Sequence, residues 1–239
     1  MINTTSVKNA LSVDVAISSE MASALQTWNA MYLNKSSWLT TDVKSLNLAS
    51  AIAAEIARAV TIEMEVTLSG SPRAEFLGMQ IERVVDRLRL TTEYGVAKGG
   101  LMLKPYISGN QLAVDYVQAD QFYPVAFDAN GNMTACVFSD TRIVGKDFYT
   151  RLEYHALAAD GYQIRNMAYK SNTKDTLGTQ VPLTSVQSWA ELQPEALIVN
   201  VDRPLFAYFK MPFGNNIDPT SPLGVSVYSR AVDLIEQAD

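Results

Sequence analysis

The stretch Leu101-Met-Leu-Lys-Pro-Tyr-Ile-Ser-Gly-Asn-Gln-Leu-Ala-Val-Asp-Tyr116 decides the fold class. Two strand-like runs flank Gly109-Asn110, a pair that reaches positive φ at little steric cost, so the stretch reads as an antiparallel hairpin with a two-residue turn. That turn sets Ile107 opposite Leu112, Lys104 opposite Asp115 and Leu103 opposite Tyr116, pairing apolar with apolar and cation with carboxylate. Pro105 lacks an N–H donor, which assigns its strand to the edge of a sheet.

Downstream the pattern repeats. Asn130-Gly131 as a turn places Val125 opposite Cys136 and Tyr123 opposite Phe138. Asp160-Gly161 places Leu152 opposite Tyr169 and Tyr154 opposite Met167. Residues 171–193 read as a polar loop with a short Trp189-containing segment. Strands resume around Leu197 to Val201 and Leu205 to Met211, and Pro212 to Pro222 is a loop.

Upstream the period is helical. Ser18 or Ser19 caps a helix with Met21, Leu25, Trp28 and Tyr32 on one stripe. A second helix runs from about Leu48 to Thr61 with Ile52, Ile56 and Val60 on one stripe. The period then falls to two: Ile62, Met64, Val66 and Leu68 alternate with Glu63, Glu65 and Thr67, the pattern of a half-buried strand. Ser71-Pro72 opens a long helix through Leu77, Ile81, Val84 and Leu88, ending near Gly95 to Gly100. Ser221-Pro222 repeats that signal, and Val227, Ala231, Leu234 and Ile235 carry a stripe to Asp239 with no stop, so the chain reads as cut inside a helix. An acidic last residue also opposes the helix dipole. The expected fold is α+β: N-terminal amphipathic helices plus an antiparallel β-meander, ending in a truncated helix. Residues 1–17 are expected to be a flexible segment and 18–239 one domain.

Composition bounds the function. At 239 residues with 48% apolar and 18% charged side chains, the chain is globular rather than disordered. A chain of this size buries roughly 70 to 75% of the surface it exposes when unfolded. Lys and Arg number 19 against 25 Asp and Glu, giving 19 − 25 = −6, which disfavours a phosphate-gripping surface. One cysteine, Cys136, and one histidine, His155, exclude an intrachain disulfide framework and the usual Cys/His zinc sites. The N-terminus shows no signal-peptide pattern, and the most apolar stretch, Leu48 to Val60, is too short to span a membrane.

The remaining constellations have plain structural readings. His155 falls on the strand face carrying Arg151 and Glu153 and reads as a solvated or hydrogen-bonded surface histidine rather than a base. Cys136 shares a face with Phe138 and Val125 and packs as a small apolar residue. Asp128-Ala-Asn-Gly-Asn132 begins like a calcium loop, but Met133 stands where glycine is needed and Ser139 where a bidentate Glu is needed, so it reads as a turn. Glu63 and Glu65 face water. Gly99-Gly100 follows a helix and precedes a strand, the reverse of a phosphate loop, and no nucleophile elbow occurs. No cofactor or metal is expected.

Five blocks carry a resemblance: Ser45-Leu-Asn-Leu-Ala-Ser-Ala-Ile-Ala-Ala-Glu55 through Glu63-Met-Glu-Val66; Glu93-Tyr-Gly-Val-Ala-Lys-Gly-Gly-Leu101; Val117-Gln-Ala-Asp-Gln-Phe-Tyr-Pro-Val-Ala-Phe127; Asn200-Val-Asp-Arg-Pro-Leu-Phe-Ala-Tyr-Phe-Lys-Met-Pro-Phe213; and Asp218-Pro-Thr-Ser-Pro-Leu-Gly-Val-Ser-Val-Tyr228. In this order the chain resembles the portal proteins of tailed bacteriophages, of the kind found in long-tailed phages of Gram-positive bacteria. The resemblance implies a structural subunit, not an enzyme, of a homo-oligomeric ring, usually a dodecamer, at one capsid vertex. It would sit in the virion, and in host cytoplasm during assembly. Its implied partners are other portal subunits, scaffold, major capsid protein, terminase, and head-completion and tail proteins. DNA would pass through the ring without sequence-specific binding, the ATPase belonging to the terminase.

A whole portal continues into stem, clip, channel loop and crown, so this chain corresponds to the N-terminal part of the wing. No catalytic residue carries over. The contact or hinge candidates are Arg203, Pro212, Phe213, Pro222 and Gly224, because a proline-rich strand-to-helix corner fixes the direction in which the next helix leaves. Two rival readings are another phage head-tail adaptor or capsid-associated module, and a hydrolase using Glu63 or Asp115 with His155.

Overall fold

The computed structural model describes residues 1–109 and 111–239. It is α+β and divides into two compact units, each built from two separate stretches: Met1–Ile17 with Asp120–Leu205, and Ser18–Ala119 with Phe206–Asp239. The stretch 18–239, expected as one domain, contributes to both units.

The first unit is a six-stranded antiparallel sheet. Its strands are β3 (Phe122–Phe127), β4 (Met133–Val144), β5 (Asp147–Ala158) and β6 (Gly161–Ser171), with β7 (Thr179–Val181) and β8 (Glu195–Ile198) both paired to β6. Residues 1–17, expected as a flexible segment, instead contribute helix α1 (Thr4–Leu11), whose Asn3 cap accepts from the Thr5 N–H. Val7 and Leu11 sink into one apolar cluster with Tyr123, Val137, Leu152 and Tyr169. The polar composition that suggested flexibility belongs to the outer face of a two-turn helix.

Two hairpin registers differ from expectation. In β3–β4, Tyr123 faces Val137 and Pro124 faces Cys136, one step from the expected pairing, with register shifts between Pro124 and Phe127. A bulge around Val125 absorbs a residue, as bulges do, and the turn is longer: Asp128 accepts through its side chain from the Asn130 and Asn132 N–H groups and from Asn132 Nδ2. In β5–β6, Leu152 faces Met167 and Tyr154 faces Arg165, because the turn is Ala159-Asp160 rather than Asp160-Gly161. The shift is two residues, so every side chain keeps its face. Cys136 is fully buried, as expected.

The second unit holds helices α2 (Ser19–Tyr32), α3 (Leu48–Thr61), α4 (Pro72–Lys98) and α5 (Val232–Ala238), and a three-stranded sheet in the order β2 (Gln111–Gln118), β1 (Gly100–Ser108), β9 (Ala207–Lys210). Ser18 caps α2 by accepting from the Met21 N–H, and Met21, Leu25, Trp28 and Met31 are buried. The β1–β2 register is the expected one throughout, with Lys104 Nζ 3.5 Å from Asp115 Oδ2; Asn110 of the expected turn lies outside the described residues. Pro105 does not mark an edge strand, since β1 is central, but β9 pairs only with Gly100 to Leu103 and leaves the Pro105 position without a neighbour on that side.

Three helical expectations are corrected as well. In α3 the buried residues are Ala49, Ala53 and Ala57, not the Ile52, Ile56 and Val60 stripe, and Val60 is exposed. A seam of alanines lets α3 close onto α2 and α4 at short range. Residues 62–68 form no strand, for no neighbouring strand runs beside them. The helix expected from Pro222 starts only at Val232. Asp239, expected to oppose the helix dipole, is bound by Trp38 Nε1 at 3.0 Å and the Leu46 N–H at 2.8 Å. No helix among the described residues is long and apolar enough to cross a membrane.

The alanine seam yields a prediction. Ala53→Leu is expected to destabilise the chain by about 1 to 3 kcal/mol through overpacking, whereas Val60→Ala stays within about 0.5 kcal/mol. Urea unfolding followed by circular dichroism measures both, and the reverse order would place the other face of α3 inward.

Candidate functional site

Four of the five sequence candidates lie in one corner of the second unit, between the end of β9 and the start of α5. Its centre is a contact between two glycines. α4 stops at Gly99, which turns the chain at φ +84°, and Gly224 lies against it so closely that a Cβ on Gly224 would stand 2.1 Å from the Gly99 oxygen. The reciprocal Cβ on Gly99 would meet the Gly224 oxygen at 2.6 Å. No side chain larger than hydrogen fits at either position.

Backbone bonds zip the rest of the corner. The Met211 N–H donates to the Gly99 oxygen at 3.0 Å, and the Val227 N–H to the Val96 oxygen at 3.1 Å. The Gly224 N–H donates to Tyr208 Oη at 3.1 Å, and Lys210 Nζ to the Pro222 oxygen at 3.2 Å. Val225, Ser226 and Tyr228 are buried, and Tyr228 Oη donates to the Trp28 oxygen at 3.0 Å. Burial holds the Tyr228 phenol well above its ordinary titration range. These commitments explain why Pro222 opens no helix: the following backbone is spent on α4 and α2 rather than on itself.

Pro212 and Phe213 are exposed at the rim, and the Phe213 N–H folds back to the Met211 oxygen at 2.8 Å. Beyond them Asn215 Oδ1 accepts from the N–H groups of Ile217 and Asp218, and its Nδ2 donates to the Leu223 oxygen, closing the loop on itself. Arg203 is not in this corner; it belongs to the first unit, exposed, with Nε 3.2 Å from Asp202 Oδ1. Sequence reading missed Gly99, Tyr208 and Met211 as parts of the corner. The doublet Gly99-Gly100 was the available signal, since it marks close backbone approach.

The first unit carries a separate polar cluster on the β4–β5–β6 face. Tyr162 Oη lies 2.7 Å from His155 Nδ1, and His155 Nε2 lies 2.7 Å from Glu153 Oε1. Arg151 Nη2 lies 3.0 Å from Glu153 Oε2, and Nη1 donates to Asn166 Oδ1 at 3.0 Å. Asn166 Nδ2 completes the chain on the Gln193 oxygen. His155 is only 4% exposed, so the surface histidine expected from sequence is corrected to a buried, hydrogen-bonded one. The Phe138 and Tyr162 rings, both edge-on to the imidazole, cover it. Burial raises the Tyr162 phenol far above its usual range, with the Leu205 backbone opposing.

This cluster has catalytic residue types without access. Both imidazole nitrogens are committed within the sheet, and Glu153 is held between a guanidinium and an imidazole. Of the residues in the rival hydrolase reading, Glu63 and Asp115 belong to the second unit, Asp115 facing Lys104. Among the described residues no group of three or more His, Cys, Asp or Glu side chains is placed to hold a metal ion. Against known proteins, no family model matches the chain and no curated protein does.

Two outcomes are expected. Gly224→Ala should destabilise the chain by about 3 kcal/mol or more, since backbone rather than a flexible side chain must move, while Tyr208→Phe costs about 1 kcal/mol for one hydrogen bond; thermal unfolding measures both, and a neutral Gly224→Ala would refute the contact. Glu153→Ala should cost roughly 3 to 5 kcal/mol by leaving Arg151 uncompensated. A Glu153→Leu/Arg151→Met double variant that recovers most of that loss would show a buried pair at work, and equal losses in both would argue against it.

Proposed function

We propose that the chain is the outer, wing-like part of a tailed-phage portal subunit, a structural component of a ring through which DNA is packaged and ejected and onto which terminase and head-tail connector proteins dock. The observation that supports this reading is spatial. Residues of three of the blocks that carry the resemblance, from 93–101, 206–213 and 218–228, meet around the Gly99 and Gly224 contact, where residues over a hundred positions apart in sequence share backbone hydrogen bonds. A shared architecture would need those blocks together, because the corner sets the exit direction of the chain after Pro222.

Charge is compatible with the reading. A conduit surrounds DNA without gripping it, and a net charge of −6 disfavours the counterion release that tight phosphate binding uses. In this proposal Pro212 and Phe213, exposed at the rim, are contact residues, while Pro222 and Gly224 fix geometry.

Class-averaged electron micrographs of the product of the complete gene provide the test. A ring with a central hole is the expected particle. A compact particle without a channel, at concentrations where the chain is fully folded, overturns the reading.

A further inference from the structure

The segment between α3 and α4 has the sequence of a strand and the environment of none. Ile62, Val66 and Leu68 are 63%, 48% and 39% exposed, and Glu63, Glu65 and Thr67 alternate with them. Among the described residues, its only backbone bond beyond the α3 end is from the Met64 N–H to the Thr61 oxygen. From Glu65 to Gly70 the main chain therefore offers donors and acceptors to whatever lies beside it. Such an edge is normally paired, covered or blunted.

Beside this segment runs a groove of about 320 Å³, walled by Met64, Glu65, Val66 and Thr67 on one side and by Ile81, Glu82, Val85 and Asp86 of α4 on the other. Its apolar lining comes from Met64, Val66, Ile81 and Val85. Its polar lining is three carboxylates and one hydroxyl, with no cationic side chain among the lining residues. Water satisfies the exposed backbone but not the apolar lining, and three carboxylates along one groove raise its affinity for cations on the same ligand.

We propose that this groove is the docking site for an extended basic segment of a partner protein, which adds to residues 62–68 as a strand. Strand addition supplies main-chain bonds for affinity, and alternate side chains supply specificity. Apolar residues of the incoming segment would meet Met64, Val66, Ile81 and Val85, while its lysines or arginines would meet Glu65, Glu82 and Asp86. A second copy of residues 62–68 is the weaker occupant, because it would bring further carboxylates, Glu63 and Glu65, to a groove that already holds three. The inference does not depend on the portal reading.

The test uses the intact chain and two labelled peptides, an alternating Lys-Val octamer and its Glu-Val counterpart, read by fluorescence anisotropy and by amide hydrogen exchange. The Lys-Val peptide is expected to saturate, to protect the amides of residues 63–68, and to bind about tenfold more weakly to a Glu65→Lys/Asp86→Lys variant. An Asp160→Lys/Asp202→Lys variant, equal in charge but altered in the other unit, should bind within about twofold of the original. Equal loss in both variants, equal binding of the Glu-Val peptide, or absence of protection at 63–68 overturns the proposal. Concentration-dependent protection of 63–68 without any peptide also overturns it, in favour of a second copy as the occupant.

Discussion

Two glycines touching backbone to backbone hold the second unit in its shape. With hydrogen at both Cα positions, Gly99 ends α4, passes its oxygen to the Met211 N–H, and lets the chain after Pro222 lie flat against the helix terminus. Everything that follows depends on that approach. Val225 and Tyr228 reach the interior only because the backbone between them is pinned, and α5 begins where the pinning ends. The helix C-terminus supplies the acceptors: the last carbonyls of α4, left without intrahelical partners, are the ones the corner uses.

Local chemistry made much of the fold legible. The β1–β2 ladder follows from one turn and one pattern of cross-strand pairs, and α2 and α4 follow from capping and proline position. The failures have physical causes of two kinds. Turn length is decided by side chains such as Asp128, whose carboxylate gathers three N–H groups and lengthens the loop beyond Asn130-Gly131. Those bonds also pull its carboxyl below the usual range, led by the Asn132 side chain. Burial is decided by tertiary partners. Alanine carries no strong periodic signal, yet in α3 it is the alanine face that packs, because close helix approach favours small residues over large ones. The glycine corner is half visible: Gly224 stands out with the prolines and the Gly99-Gly100 doublet marks a close approach, but that the two glycines 125 positions apart meet is legible only in space.

The polar cluster of the first unit shows why residue type alone misleads. Tyr162, His155, Glu153 and Arg151 would suit acid–base chemistry if a substrate could reach them. Here Arg151 engages Asn166 and Glu153 through its two Nη atoms while its buried Nε has no partner, and the imidazole packs edge-on against Phe138 and Tyr162. The chain of bonds ties β5 to β6 and, through Asn166, to the 193–194 loop. Its bonds run within the sheet, and the geometry they fix is one strand register. A register slip of one residue would strand a guanidinium and a carboxylate in the sheet's interior.

The alanine seam and the unpaired segment are one structural fact seen from two sides. When α3 turns Ala49, Ala53 and Ala57 toward its neighbours, the larger residues Ile52, Ile56 and Val60 are carried to the flank or outward, and the chain leaves the helix with its apolar positions already facing solvent. Residues 62–68 continue that exposure as an alternating strand pattern. Within this unit the three-stranded sheet is built from β2, β1 and β9 and does not extend to that segment. Helix packing and strand pairing thus compete for the same stretch of chain, and the close α3–α4 contact wins because it buries three side chains with no loss of rotamer freedom. Ile62, Val66 and Leu68 remain exposed in that alternation, and that is the physical ground for the proposed intermolecular contact.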